Sequence, residues 1–119
     1  MNKKLIYLLE DDIDINEVVT YILTEEGYEV SSSTTVAGFR EMISQKLPDI
    51  AILDIMLPDG GVVEVCRDLS GDERTSDINI MMISANRSKN DLQALGCSAE
   101  FIAKPFSIDH FITRVKHYA

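Results

Sequence analysis

The sequence predicts an α/β fold: a five-stranded parallel sheet, doubly wound, in the order (βα) five times over. Two observations carry this reading. Short, almost continuously apolar runs recur along the chain, and stretches of helical periodicity separate them. Such alternation implies parallel strands joined by right-handed crossovers, with helices on both faces. The 119 residues suit one domain, and no repeat or Pro/Ser-rich linker divides them, so residues 1–119 are read as one unit.

The elements follow in order. Leu5–Leu9 is the first expected strand. Ile15, Val18, Val19, Ile22 and Leu23 then form an amphipathic stripe, with Asp14 as N-cap and Gly27 as the left-handed stop. Tyr28–Ser32 is the second strand. The next helical stripe is Val36, Phe39, Ile43 and Leu47, ending before Pro48. Ile50–Leu53 is the third strand, Val62 to Leu69 a short helix, and Ile78–Ile83 the fourth strand. A weaker helix is expected over Ser88 to Leu95, closed by Gly96, before the strand Phe101–Ala103. Ile108, Phe111, Ile112 and Val115 form the last helix, capped by Ser107. The first, third and fourth strands are the most uniformly apolar, as central parallel strands covered on both faces should be.

Composition excludes several classes. Hydrophobic residues at 45% and charged residues at 26% fit a globular domain and not a disordered chain. A net charge of −9 argues against direct nucleic-acid binding by this domain and against docking on anionic lipid. No run approaches the roughly 20 apolar residues of a membrane span. Lys3 and Lys4 precede an apolar run that Glu10 ends too soon for a signal peptide. Cys66 and Cys97 have no metal-type spacing and are expected as reduced thiols of a cytoplasmic protein, with Cys66 buried on a helix face.

The acids carry the chemistry. Glu10, Asp11 and Asp12 follow the first strand, and Asp54 follows the third. Central neighbours in a doubly wound sheet would bring these carboxylates to one mouth, beyond the carboxyl ends of the strands. Crowded carboxylates resist ionisation, and a divalent cation relieves the conflict; an all-oxygen set with retained water suits Mg²⁺. A lone run such as Glu10 to Asp12 would read as an acidic loop, and its coincidence with Asp54 favours a site. Ser84 and Lys104 end the fourth and fifth strands, aiming a hydroxyl and an ammonium at the same mouth. That set suits a phosphoryl group arriving on a carboxylate.

The runs Leu9-Glu10-Asp11-Asp12, Leu53-Asp54-Ile55-Met56-Leu57-Pro58-Asp59-Gly60, Ile83-Ser84-Ala85 and Lys104-Pro105-Phe106 resemble the bacterial two-component response-regulator receiver domain, including its chemotaxis-regulator members. The resemblance covers essentially the whole chain, and four separate segments agree. It implies the flavodoxin-like receiver fold. It also implies that Asp54 accepts the phosphoryl group, and that Asp11, Asp54 and the Met56 carbonyl ligate Mg²⁺, with Glu10 reaching it through water. Lys104 would pair with the phosphoryl group, Ser84 would hydrogen-bond to it, and Phe101 would be the aromatic switch. The Lys104–Pro105 peptide would be cis. Asp12 has no fixed role in the family and is expected to be solvated. The implied donor is a sensor histidine kinase or a phosphotransfer protein, and a downstream protein reads the changed face, with homodimerisation on phosphorylation a further mode. Such a domain catalyses its own phosphoryl transfer and dephosphorylation without being a stand-alone enzyme. Met56 and Asn86 occupy the family's rim positions, where an apolar side chain and a neutral amide imply slow to intermediate self-dephosphorylation.

Some features depart from the family pattern. Val62 stands where many members have glycine, and the segment from Ala85 to Glu100 is about two residues short, leaving the output face open to reshaping. A metal-dependent phosphatase would want a second acid where Met56 stands. A nucleotide or flavin module would want glycines where Glu10-Asp11-Asp12 would repel phosphate. A pseudo-receiver would lack the acids, Ser84 and Lys104. The end of the sequence at Ala119 fits either a stand-alone regulator or part of a longer chain.

Overall fold

The computed structural model describes residues 3–54, 61–84, 99–103 and 107–118. Its elements are β1 (Leu5–Leu9), α1 (Ile13–Glu25), β2 (Glu29–Ser33), α2 (Val36–Gln45), β3 (Ile50–Asp54), α3 (Gly61–Gly71), β4 (Asn79–Ser84), β5 (Glu100–Ala103) and α4 (Ile108–Tyr118). The expected helix over Ser88 to Leu95 lies outside the described residues. The strands form one parallel sheet in the order β2-β1-β3-β4-β5.

Alternation along the central strands divides the core. Leu5, Tyr7, Leu9, Ala51 and Leu53 face α2 and α3, meeting Phe39, Ile43, Val62, Val65 and Leu69. Ile6, Leu8, Ile50 and Ile52 face the other way, toward Leu23 of α1 and Phe111 and Val115 of α4. The sheet is therefore wound on both faces. Phe39 is fully buried and meets Tyr7 edge to face at 6.2 Å between ring centroids.

Helix α1 differs from its expected form in two ways. Its N-cap is Asp12 and not Asp14: Asp12 Oδ1 accepts from the amides of Asp14 at 3.0 Å and Ile15 at 3.2 Å. The side chain read as solvated thus closes the helix start. Its inward face is also shifted around the helix. Asn16 and Leu23 are buried and Val19, Thr20 and Ile22 half-buried, while Ile15 and Val18 of the expected stripe are exposed beside Ile13 and Tyr21. Asp12→Ala should lower stability by about 1 kcal/mol in urea denaturation, while Asp12→Asn, which keeps the cap acceptor, should lose little.

The other end of α1 closes as expected. Gly27 adopts φ +97°, its amide donates to Thr24 O, and the Tyr28 amide donates to Leu23 O. This is the paired capping pattern that a left-handed residue permits, and the Tyr28 and Leu23 side chains lie in the same core cluster. In α2, Thr35 is the N-cap and the helix ends at Gln45, so Leu47 falls beyond the stripe and is exposed. Ser107 caps α4 through its hydroxyl, which accepts from the His110 amide at 3.0 Å. Glu100 of β5 accepts from Arg114 Nε at 2.8 Å and from Tyr118 Oη at 3.1 Å, fastening β5 to α4.

Cys66 is fully buried on α3, as its apolar neighbours imply, but it is disulfide-bonded and not a reduced thiol. The other cysteine in the sequence, Cys97, lies outside the described residues. Low cysteine count and missing metal spacing speak to compartment and not to proximity, which is why the expectation failed.

Candidate functional site

The chain crosses from β1 to β2 on one side and to β3 on the other, so the carboxyl ends of β1 and β3 border the point where the winding reverses. Leu9 and Leu53 are in register across these strands. Glu10 follows the first and Asp54 ends the second, one residue later than the expected strand end. Both residues are buried, each at 3% exposure. The Glu10 carboxyl hydrogen-bonds with those of Asp54 and Asp11, and Asp11 itself is exposed at the mouth.

Burial, and then the hydrogen bond and negative charge of Asp54, push the Glu10 carboxyl up to about 8. The Asp12 amide, which donates to Glu10 Oε2 at 3.2 Å, works the other way. An oxygen-seeking divalent cation would offset the negative charge of these acids, so the donor chemistry fits Mg²⁺. Among the described residues no group of three or more His, Cys, Asp or Glu side chains is placed to hold a metal ion by itself. Mg²⁺ does not need one, because it uses one or two carboxylates and keeps several waters.

The acidic loop is held from behind. The Glu10 amide donates to Ser33 O at 3.1 Å. Asn16 Nδ2 donates to Glu10 O at 3.1 Å and to Ser33 O at 3.3 Å. Neither Asn16 nor Ser33 is singled out by the sequence. A polar residue at the first position of a buried helical stripe is the signal that could have found Asn16.

The remaining expected site residues are placed less fully. Ser84 ends β4 with its backbone opposite Ala103, the residue before Lys104. Phe101 lies in β5 opposite Met82. Met56, Asn86 and Lys104, with the Lys104–Pro105 peptide, lie outside the described residues. A surface hollow lined by Asp77, Asn79, Glu100 and Tyr118 contains none of the clustered acids. No described helix is long and apolar enough to cross a membrane.

Residues 6–116 match the model of the response regulator receiver domain family. The phosphate regulon transcriptional regulatory protein PhoB of Pseudomonas aeruginosa is 34% identical over 115 residues, covering 95% of this chain and 50% of that protein. The chain thus spans about half the length of the curated relatives it matches. The receiver domain of a signal transduction histidine kinase from Syntrophus aciditrophicus superposes with a TM-score of 0.85 at 26% identity, covering 97% of this chain and 89% of that one. The chemotaxis response regulator CheY4 of Vibrio cholerae gives 0.86 at 19% identity, covering 99% and 100%, a likeness of fold alone.

Proposed function

The chain belongs to the response regulator receiver domain family of two-component systems, and from that premise we propose that it is a phosphorylation-dependent switch with Asp54 as its acceptor. The observation that carries this reading is the meeting of buried Glu10 and Asp54 with Asp11 at the reversal point of the sheet. Asp11, Asp54 and the Met56 carbonyl would hold Mg²⁺, with Glu10 acting through water. Mg²⁺, when bound, would offset the charge of the acids and of the incoming phosphoryl group.

An Asp54 carboxylate oxygen forms the new bond to phosphorus, and the bond to the imidazole nitrogen of a phosphohistidine breaks. The donor is a sensor histidine kinase or a phosphotransfer protein in the cytoplasm. Lys104 pairs with the transferred group and Ser84 donates its hydroxyl to it. The charge of the aspartyl phosphate, up to about −2, draws Ser84 inward and lets Phe101 turn. Because Glu100 adjoins Phe101 and is bonded to Arg114 and Tyr118, a shift in β5 is passed to α4. A downstream protein, or a second copy of the chain, reads that face. The domain catalyses its own phosphorylation and dephosphorylation and turns over no separate substrate.

Acetyl phosphate with Mg²⁺ should add one hydroxylamine-labile phosphoryl group, visible by intact mass. Mg²⁺ alone should bind weakly, and Asp11→Asn should weaken it further, by at least severalfold in calorimetric titration. Equal affinity in the two proteins would rule this metal site out.

A further inference from the structure

We infer that Asn16 is a positioning residue for the acidic site: by gripping the carbonyls of Glu10 and Ser33, it fixes the loop that aims Glu10 and Asp11 at Asp54. This rests on the reading of those acids as a Mg²⁺ site. Asn16 occupies the first inward position of α1 and is 5% exposed, where a plain apolar residue would serve packing better. A buried amide is tolerated only when its hydrogen bonds are made. Here both partners are main-chain carbonyls, which can only accept, so the side-chain NH₂ must face them. Thr20 Oγ1, one turn on, stands 3.5 Å from Asn16 Oδ1 and favours the same orientation.

The consequence lies in what those carbonyls belong to. Glu10 is the first residue beyond β1, where the ladder no longer holds the chain. Its amide is fixed by Ser33 O and its carbonyl by Asn16, so both ends of its backbone are pinned. The carboxyl of Glu10 and the following Asp11 depart from that pinned unit. The Asn16 amide donates to main-chain carbonyls, so its influence on the carboxyl groups passes through backbone geometry. Supporting groups behind metal-binding acids commonly matter roughly ten- to a hundredfold in affinity.

The test compares Asn16→Leu with Leu23→Ala, which removes packing two turns along the same helix face without touching the loop. Wild type, both variants and Asp11→Asn are titrated with Mg²⁺ alone. Backbone amide exchange at Asp11 and Asp12 is followed in the metal-free proteins. Asn16→Leu should weaken Mg²⁺ binding about tenfold and speed exchange at Asp11 and Asp12. Leu23→Ala should melt earlier yet keep wild-type affinity. Wild-type affinity in folded Asn16→Leu, or an equal loss in Leu23→Ala, would overturn the inference. Should Asn16→Leu not fold, Asn16→Ala takes its place with the same two outcomes. If Asp11→Asn leaves affinity unchanged, the metal reading itself has failed. The exchange data then decide alone: faster exchange in the Asn16 variant supports the positioning role, and unchanged exchange refutes it.

Discussion

Replacing Asp54 by asparagine is expected to reduce phosphoryl uptake from acetyl phosphate to background. The amide matches the carboxylate in volume, so the buried position at the end of β3 stays filled. What is lost is the nucleophile: an amide oxygen forms no stable acyl phosphate. Glu10 is a poor substitute, because it is equally buried and is proposed to serve the cation through water. Asp11 is accessible, yet it belongs to the set proposed to hold the cation. Folding should survive, since asparagine removes one of the charges that crowd Glu10. Intact mass before and after hydroxylamine reads the result. Undiminished, hydroxylamine-labile uptake in Asp54→Asn would move the acceptor elsewhere and remove the central element of the proposed switch.

The second large effect is a pH dependence of stability that exists only without metal. In the folded protein the Glu10 carboxyl titrates at about 8, against an ordinary value of 4.5. Between those values the folded chain keeps a proton that the unfolded chain has released. Unfolding therefore loses a proton, and stability falls as pH rises across that interval. The loss begins near pH 4.5, is complete slightly above pH 8, and amounts to several kcal/mol, at about 1.4 kcal/mol per pH unit of separation. Other resolved groups act outside this interval. The Glu100 carboxyl is lowered by Arg114, so its contribution fades only under more acid conditions, and Tyr7, Tyr28 and Tyr118 are raised by burial at the alkaline end. Urea denaturation in chelator from pH 5.5 to 8.5 should show the decline. Glu10→Gln, which mimics the protonated form, should flatten it and be the more stable protein at pH 8. Excess Mg²⁺ should flatten the wild-type curve as well, because it binds the ionised acids. A decline of the same slope in Glu10→Gln would assign it to another group.

What could be read from the sequence follows from where the physics is local. Ile50 to Leu53 can only be a buried strand, and an acid placed directly after it must sit at the mouth of the sheet; the same holds for Leu5 to Leu9 and Glu10. Gly27 is legible because its backbone conformation is one that side chains resist. Helix α1 was harder, since apolar residues cover two overlapping stripes. Periodicity fits 15, 18, 19, 22 and 23; the fold keeps 19, 22 and 23 but takes 16 and 20 in place of 15 and 18, with the Asn16 amide meeting the carbonyls of Glu10 and Ser33. The choice of Asp12 over Asp14 as cap depends on where the helix leaves the acidic loop, a distance that periodicity does not measure. The bonding of Cys66 is a matter of what the fold brings near it, and spacing carries no trace of that.

Strand β2 has a bearing on how copies of this chain meet. Among the described residues it pairs with β1 alone and ends the sheet, the kind of margin onto which a further strand can be added. Its residues, Glu29-Val30-Ser31-Ser32-Ser33, discourage that addition. Glu29, Ser31 and Ser32 stay in water, and a strand laid alongside would crowd a carboxylate and gain almost no apolar cover. The polar margin therefore acts as a guard against fibril-like growth, leaving the edge of the sheet unattractive to a further strand.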